Sequence, residues 1–278
     1  MFWVLLVAGI FVLLTALLVF CVAPGKMTAE AKKASQVFYG LNCAHRGLYT
    51  KDQQIPENSI PAFSAARHGS YGVELDVQFS KDEQVVVFHD DDLKRVCGVD
   101  KPVNSMDFNE LSALCLFDSN KRIPLLTEVL KELGDTPVIV EIKSFCPNYI
   151  KLCEDTLKLM RAYGQRWCVE SFDPRVVAWF KKNAPDIFRG QLSRPPGSLA
   201  GVSKPASLLF GYLLTNFLSR PHFIAYENTT YPLTVRLCRA MKPIKVVWTV
   251  IPDHDIKRCE KENDTVIFEH YEPLPRFK

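Results

Sequence analysis

Short apolar runs alternate with amphipathic segments from residue 41 to residue 269. Runs that are apolar on both faces are typical of strands buried in a parallel sheet, and apolar positions spaced three and four residues apart predict helices packed on that sheet. The alternation predicts an α/β fold, a (β/α)8 TIM-type barrel in one domain. The eight runs that predict barrel strands are Leu41–Ala44, Tyr71–Phe79, Val138–Ile142, Trp167–Ser171, Ile187–Leu192, Phe223–Glu227, Lys245–Val250 and Thr265–Glu269.

A further apolar run, Val85–Phe88, does not fit this alternation. It follows the second strand after only the polar turn Ser80–Gln84, whereas a parallel crossover needs about a dozen residues. We therefore expect it to fold back antiparallel on the second strand and to begin a small insertion over residues 79–124. Because the insertion delivers His89, we expect His89 to be held less firmly by the barrel than residues on the strands.

A second insertion, over residues 193–221, contains the apolar stretch 207–218. This stretch is too short to span a bilayer, which takes about 20 helical residues. It follows the carboxyl end of a strand, so we expect it on the active-site face of the barrel. It can form a helical lid packed on the barrel, or it can dock into lipid beside the mouth of the site.

The amino-terminal residues 1–23 carry no charged side chain, and their length suits an apolar membrane span. A cleaved signal peptide is the competing interpretation, but the segment lacks a basic beginning and a small-x-small cleavage site. We predict a single-pass anchor over residues 1–23, a linker over 24–40 with a short helix, and a barrel domain over 41–278. Lys26, Lys32 and Lys33 follow the span, so the positive-inside rule places the barrel in the cytoplasm.

The charge and the cysteine content exclude some classes of protein. The formal net charge is +3, which is too small to indicate a nucleic-acid partner. The nine cysteines lack the paired spacing of a zinc site, and their odd number and apolar neighbours favour reduced thiols over a disulfide framework. Reduced thiols agree with a reducing compartment. No sequence feature predicts a protein partner.

Two carboxylates two residues apart, Glu74 and Asp76, lie near the end of the second predicted strand and face the same side. Together they would repel each other and be costly to desolvate, and a divalent cation would remove both costs. Glu141 ends the next barrel strand and is a natural third ligand. Oxygen ligands favour Mg²⁺ or Ca²⁺, with Mn²⁺ a further candidate. The alternative is that the carboxylates pair with Arg or Lys at the barrel rim.

Two histidines, His45 and His89, each follow an apolar run and flank the carboxylate pair in the sequence. Imidazoles titrate near neutrality, so one can accept a proton while the other donates one. Arg46 and Lys143 lie near the same rim and suit an anionic phosphoryl group. The histidines can instead be structural hydrogen-bonding groups, and the cations can pair with carboxylates. Taken together, these side chains indicate metal-assisted phosphoryl chemistry.

Several motifs along the first half of the chain resemble those of the glycerophosphodiester phosphodiesterase family. The close match covers Leu41–Lys143, and a looser one extends through Ser171-Phe172 and Val247–Val250. The motifs, in chain order, are H-R-G at 45–47, P-E-N-S at 56–59, E-L-D-V at 74–77, K-D-E-Q-V-V-V-F-H-D at 81–90, R-I-P-L-L-T-E-V-L at 122–130 and V-E-I-K at 140–143.

The resemblance implies a TIM-type barrel with a small insertion after the second strand, and an enzyme that cleaves a glycerol phosphodiester to an alcohol and a glycerol phosphate. It implies three groups of site residues: Glu74, Asp76 and Glu141 as ligands of a divalent metal, His45 and His89 as the acid–base pair, and Arg46, Glu57, Asn58 and Lys143 as the lining of the phosphate site. The substrate can be a small phosphodiester or a lysophospholipid.

The chain departs from the family pattern at two places. The family often ends in a strand that reads I-T-D-x-P, whereas residues 267–273 read I-F-E-H-Y-E-P, and Ile251-Pro252 stand where an Asn is common. We expect these changes to alter the substrate pocket and to leave the metal and histidine positions untouched. Two other functions remain open, a lyase-type phospholipase D that yields a cyclic phosphate and a non-catalytic membrane-bound barrel. The second predicts gaps among the histidines and carboxylates, and none is found.

Overall fold

A closed barrel of eight parallel strands forms the body of the molecule, in a computed structural model that describes residues 1–145, 147–164 and 166–278. Each strand pairs in parallel with its neighbours, and the last pairs with the first. The predicted barrel is thereby confirmed. The strands are β1 (Leu41–His45), β2 (Gly72–Phe79), β3 (Val85–Val87), β4 (Val138–Ile142), β5 (Trp167–Ser171), β6 (Arg189–Ser193), β7 (Phe223–Glu227), β8 (Ile244–Val250) and β9 (Thr265–Phe268), of which β3 stands outside the barrel.

Helices follow most barrel strands and cover the outside of the sheet. In chain order, the helices that the structure describes are α1 (Phe2–Val22), α2 (Ala29–Ser35), α3 (Ile60–His68), α4 (Lys94–Cys97), α5 (Phe108–Leu111), α6 (Leu126–Leu133), α7 (Tyr149–Tyr163), α8 (Pro174–Asn183), α9 (Lys204–Gly211), α10 (Asn216–Ser219), α11 (Leu233–Ala240) and α12 (Ile256–Glu262). Short 3₁₀ turns occupy Gln36–Phe38 and Val103–Ser105. No helix follows β9 in the described residues.

Two separate apolar layers hold the barrel together. The larger layer lies between the strands and the helices and includes Val73, Leu75 and Phe63. The smaller one fills the inside of the barrel, where Ile139 and Cys168 are buried. Because side chains alternate along a strand, the polar residues Glu74 and Asp76 share the inner face. The inside of the barrel is thus apolar along the earlier part of its strands and charged towards their carboxyl ends.

The insertion after β2 begins with the predicted antiparallel pairing. Val77 of β2 lies opposite Val87 of β3, and Phe79 lies opposite Val85. The rest of the insertion has its own apolar cluster, which includes Leu111. This confirms that β3 starts an insertion and is not a barrel strand.

The apolar stretch after β6 divides between two short helices. α9 lies beside the carboxyl end of β6, where the Ser193 hydroxyl donates a hydrogen bond to the Phe210 carbonyl over 2.9 Å. α10 instead packs against the outer helix α8. The expectation that the whole stretch lies on the active-site face is therefore wrong, because the chain must return to the opposite end of the barrel to start β7.

The amino-terminal helix α1 projects from the barrel and is docked at its last turn. It is long and apolar enough to cross a membrane. Val22 is fully buried against Leu213, Tyr226 and Val235, whereas residues 2–17 are exposed. The Arg220 guanidinium caps the helix end by donating to the carbonyls of Phe20 and Ala23 over 2.9 and 3.0 Å.

The cysteines that the structure describes are free thiols. Most of them are buried and Cys115 is exposed. This agrees with the prediction of reduced thiols, and Cys146 lies outside the described residues.

Candidate active site

The charged side chains at the mouth of the barrel occupy equivalent positions on neighbouring strands. Several of them lie two residues beyond a buried apolar residue of the barrel interior, as His45 does beyond Cys43, Glu141 beyond Ile139 and Glu170 beyond Cys168. The strand register pairs His45 with Glu74, Asp76 with Glu141, and Glu141 with Glu170. Paired residues of parallel strands point to the same face, so the sheet brings these groups together.

Three carboxylates, Glu74, Asp76 and Glu141, form a buried cluster. One oxygen of each lies within 4.8 Å of the others, and the residues are 2, 1 and 6 % exposed. Burial and the Asp76 charge raise the pKa of Glu74 well above its usual value. Burial also raises the pKa of Glu141 to about 7, although Lys143 opposes the rise. Three hard oxygen donors at this spacing fit a divalent cation, which would relieve their repulsion.

Lys143 and Asn58 lie against the same carboxylates. The Lys143 ammonium is 2.8 Å from Asp76 Oδ1 and 2.7 Å from Glu141 Oε1, and the Asn58 amide donates to Asp76 Oδ2 over 2.8 Å. Burial alone would raise the pKa of Asp76, but the Lys143 ammonium and neighbouring cations hold it well below its usual value. Lys143 therefore pairs with two of the same carboxylates that fit a divalent cation. A cation bound at the cluster would share Asp76 with Lys143.

Arg46 connects the cluster to Glu57. Its guanidinium Nη1 is 2.8 Å from Glu57 Oε1, and its Nε is 3.7 Å from Asp76 Oδ2. Its backbone N–H donates to Glu74 Oε2 over 3.1 Å. Glu57 also binds Arg95 of the insertion, at 2.6 Å. Glu57 therefore orients two arginines at the rim, and of these Arg46 lies closest to the carboxylates.

His45 is held through its Nδ1 atom. That nitrogen is 2.8 Å from Glu269 Oε2, while Nε2 is 3.9 Å from Glu74 Oε2. Burial and the adjacent Arg46 charge lower the pKa of His45, and the bond to Glu269 opposes the fall. The Nε2 side of the ring therefore faces the carboxylate cluster.

His89 is also held through Nδ1, which is 2.6 Å from Asp90 Oδ1. Asp90 is in turn fixed by Arg95 Nε at 2.7 Å. The Gln78 amide of β2 donates to the carbonyls of Phe88 and Asp90. His89 is thus tied to the barrel through a strand residue, contrary to the expectation that the insertion leaves it loosely held. Burial, with the Lys143 charge, lowers its pKa to about 4.

The structure brings every predicted site residue to one mouth of the barrel, and the roles assigned to them stay predictions. It adds residues that sequence reasoning missed, namely Tyr49, Asp90, Arg95, Glu170 and Glu269. The expectation that the unusual stretch 267–273 leaves the histidines untouched is wrong, because Glu269 contacts His45. The interior alternation of β5 and β9 could have revealed Glu170 and Glu269, since each stands two residues after an interior apolar residue.

Comparison of the sequence with known proteins identifies one enzyme family. Residues 45–271 match the model of the glycerophosphoryl diester phosphodiesterase family. The chain is 35% identical over 249 residues to a glycerophosphodiester phosphodiesterase of Caldanaerobacter subterraneus, covering 84% of this chain and 96% of that protein. It is 36% identical over 125 residues to a lysophospholipase D of Rattus norvegicus, covering 40% of this chain and only 39% of that protein.

A solved structure with a similar fold is a phosphodiesterase from Oleispira antarctica in complex with its product sn-glycerol-3-phosphate. The two share a TM-score of 0.69 and 20% sequence identity, over 87% of this chain and 96% of that one. At this identity the likeness concerns the fold.

Proposed function

The chain belongs to the glycerophosphoryl diester phosphodiesterase family, and we propose that it uses the site described above to hydrolyse glycerophosphodiesters to an alcohol and a glycerol phosphate. The observation that carries this proposal is the buried cluster of three carboxylates beside two histidines, each of which is bound at Nδ1 by a further carboxylate. This arrangement combines a cation site with two proton-transfer groups.

Glu74, Asp76 and Glu141 would hold the divalent cation on which this family depends. Oxygen-only ligands favour Mg²⁺ or Ca²⁺, and Mn²⁺ is also compatible. The cation would supply positive charge to the phosphoryl oxygens as the transition state forms.

His45 and His89 serve as the acid–base pair. One histidine accepts the proton of the attacking hydroxyl or water, and the other donates a proton to the leaving alcohol. Their Nδ1 atoms are already bonded to Glu269 and Asp90, so in each ring Nε2 is the nitrogen available for this exchange.

The phosphate site is formed by Arg46, Glu57, Asn58 and Lys143. Arg46 and Lys143 supply positive charge beside the carboxylate cluster and suit the anionic diester. Glu57 Oε1 accepts a hydrogen bond from Arg46 Nη1 over 2.8 Å and so orients the guanidinium. The Asn58 amide donates to Asp76 Oδ2 over 2.8 Å and so orients that carboxylate. These two residues therefore act mainly by holding the charged groups in place.

Phosphorus NMR of the products tests the reaction type. With glycerophosphocholine and a divalent metal, we expect a glycerol phosphate signal as the end product. Accumulation of a cyclic phosphate that water does not open would contradict hydrolysis and favour a lyase-type phospholipase D. Absence of turnover with every glycerophosphodiester and metal tested would favour the non-catalytic barrel.

We also propose that α1 is retained as a single-pass anchor over residues 1–23, with a linker over 24–40 and the barrel domain over 41–278, including the insertions 79–124 and 193–221. Removal of α1 would uncover the apolar surface on which Val22 packs, and this supports retention. The lysines after the span support a cytoplasmic barrel. Intact mass of the purified protein, together with labelling of the exposed Cys115 by a membrane-impermeant maleimide, tests both points. A shortened chain, or labelling in intact cells, would refute them.

A membrane-held barrel can take substrate from the lipid surface. Leu208, Leu209 and Leu218 are 44, 45 and 46 % exposed, and Phe217 beside them packs on Phe20 of α1, with ring centroids 5.9 Å apart. The exposed apolar surface thus continues from the anchor to α9 and α10 and suits contact with lipid.

This surface favours a lysophospholipid as a second substrate class. Replacing Leu208, Leu209 and Leu218 together by Ser should lower turnover of a lysophospholipid in vesicles more than turnover of soluble glycerophosphocholine. Replacing Leu274, which is 77 % exposed on the carboxyl-terminal tail, is the matched control and should change neither. Equal loss on both substrates would refute the lipid contact.

A further inference from the structure

Glu269 lies beside His45 because the last barrel strand closes on the first. In the β1–β9 ladder Ala44 pairs with Phe268, so the next residues, His45 and Glu269, are neighbours at the mouth. The Glu269 backbone N–H donates to the Val250 carbonyl over 3.0 Å, which fixes the carboxyl-terminal end of the strand independently of the side chain. The carboxylate then meets His45 Nδ1 at 2.8 Å.

Tyr49 also holds the same carboxylate. Its hydroxyl donates to Glu269 Oε2 over 2.7 Å, so one oxygen accepts bonds from both Tyr49 and His45. Burial would raise the pKa of Glu269, but the bonds from His45 and Tyr49 lower it to about 2. Glu269 is therefore ionised at neutral pH and can only accept hydrogen bonds.

An acceptor-only partner determines which nitrogen of a neutral His45 carries the proton. The bond to Glu269 requires a proton on Nδ1, which leaves Nε2 with a lone pair. Nε2 is the nitrogen that faces Glu74 and the carboxylate cluster. In a wrong tautomer, the lone pair would point at the Glu269 carboxylate and be repelled by it.

We propose that Glu269, held by Tyr49, is a positioning residue that fixes the tautomer and orientation of His45 so that Nε2 faces the substrate. The proposal rests on the proposed catalytic role of His45. It assigns a function to the stretch 267–273, where the chain departs from the pattern of its family. It also makes Tyr49 part of the site, through its hydrogen bond to Glu269.

Kinetics of matched variants provide the first test. Carboxylates that orient metal-bound histidines typically contribute about 10- to 100-fold. We expect an effect of at least that size for His45, so Glu269→Gln should lower kcat by about 10- to 100-fold or more while KM and Tm stay close to wild type. Tyr49→Phe should lower kcat by a smaller factor, because Glu269 Oε2 loses the hydrogen bond from Tyr49 and keeps the one from His45. Glu269→Asp should recover part of the activity that Glu269→Gln loses, since it restores the charge.

Glu227→Gln is the control. Glu227 ends β7 and is paired with Arg194 at 3.2 Å, so it is a carboxylate at an equivalent strand end with no contact to His45. This variant should keep the wild-type kcat. An unchanged kcat in Glu269→Gln, or a loss that tracks a fall in Tm, would overturn the proposal.

Nitrogen-15 NMR of histidine-labelled protein provides a test independent of activity. The full chain should show His45, identified by its absence in His45→Ala, as the Nδ1–H tautomer near neutral pH. Glu269→Gln should shift its signals towards a mixture of tautomers. An Nε2–H tautomer in the wild-type chain would refute the proposal even if the enzyme is active. An inactive wild-type chain with the Nδ1–H tautomer would instead refute the proposed function and leave the positioning of the ring supported.

Discussion

Divalent cations should stabilise the folded chain measurably, because the barrel mouth buries more negative than positive charge. Glu74, Asp76, Glu141 and Glu170 are each no more than 6 % exposed. Among the described residues, the cations in direct contact with these carboxylates are Lys143 and Arg46. Burial and neighbouring carboxylates raise the pKa of Glu170 well above its usual value. A cation bound to the cluster compensates this repulsion in the folded state alone, so binding should add to the free energy of unfolding.

The size of the effect follows from mass action. At a free metal concentration 100 times Kd, binding adds about 2.7 kcal/mol to the free energy of unfolding. For a domain of about 150–250 residues, 1 kcal/mol shifts Tm by about 2–4 °C. Together these give an expected rise of about 5–11 °C over the protein in EDTA.

Scanning calorimetry of the full chain in detergent, with EDTA or with Mg²⁺, Ca²⁺ or Mn²⁺ chloride, measures this shift. Glu141→Gln should lose most of the shift, because it removes one ligand charge while it keeps the side-chain volume. Glu227→Gln should keep the shift, since Glu227 pairs with Arg194 away from the cluster. No shift with any of the three cations, or an undiminished shift in Glu141→Gln, would refute the assignment of the cluster as a cation site.

Three further predictions concern one buried histidine outside the site and two cations at the barrel mouth. His222 is 2 % exposed, and burial, with the Arg189 charge, lowers its pKa from 6.5 to about 3. Protonation of His222 therefore favours the unfolded chain. The free energy of unfolding should fall as the pH drops below about 6.5, by about 2–3 kcal/mol at pH 4.5. Urea unfolding should show a smaller loss in His222→Phe and an unchanged loss in a variant of the exposed His68. Lys143→Ala removes the ammonium that pairs with two buried carboxylates, so in EDTA it should lower the free energy of unfolding by about 3–5 kcal/mol. Saturating metal should reduce that loss, and an equal loss with and without metal would count against a shared site. Arg95→Ala frees Asp90, the partner of His89, and should lower kcat by about tenfold or more without lowering Tm; an unchanged kcat would show that His89 needs no such support.

The barrel could be predicted from the sequence because its strands are buried on both faces. Such strands appear as continuous apolar runs, and several, such as Val138–Ile142 and Phe223–Glu227, have the predicted bounds in the structure. The bounds of the helix Ile60–His68 are equally local, since Ser59 caps its start and Gly69 ends it. Local patterns suffice for these elements.

The contacts that hold the site together could not be predicted in the same way. His45 and Glu269 are 224 residues apart in the chain, and they meet only when the barrel closes with one particular register. The tether from Gln78 to the segment around His89 likewise depends on how the insertion folds back. The position of α10 was missed because apolar composition does not tell whether a segment covers the mouth or the outer wall of a barrel.

Release of glycerol phosphate from glycerophosphocholine, measured with and without divalent metal, tests the central claim most directly. The wild-type chain and Glu227→Gln should release it only when metal is present. His45→Ala and Glu74→Ala should each lower the rate by about 10²- to 10⁴-fold, the range expected for loss of a proton-transfer group or a metal ligand. Full activity in EDTA, or a rate close to that of the wild type in either variant, would contradict the assignment of this barrel mouth as a metal-dependent phosphodiesterase site.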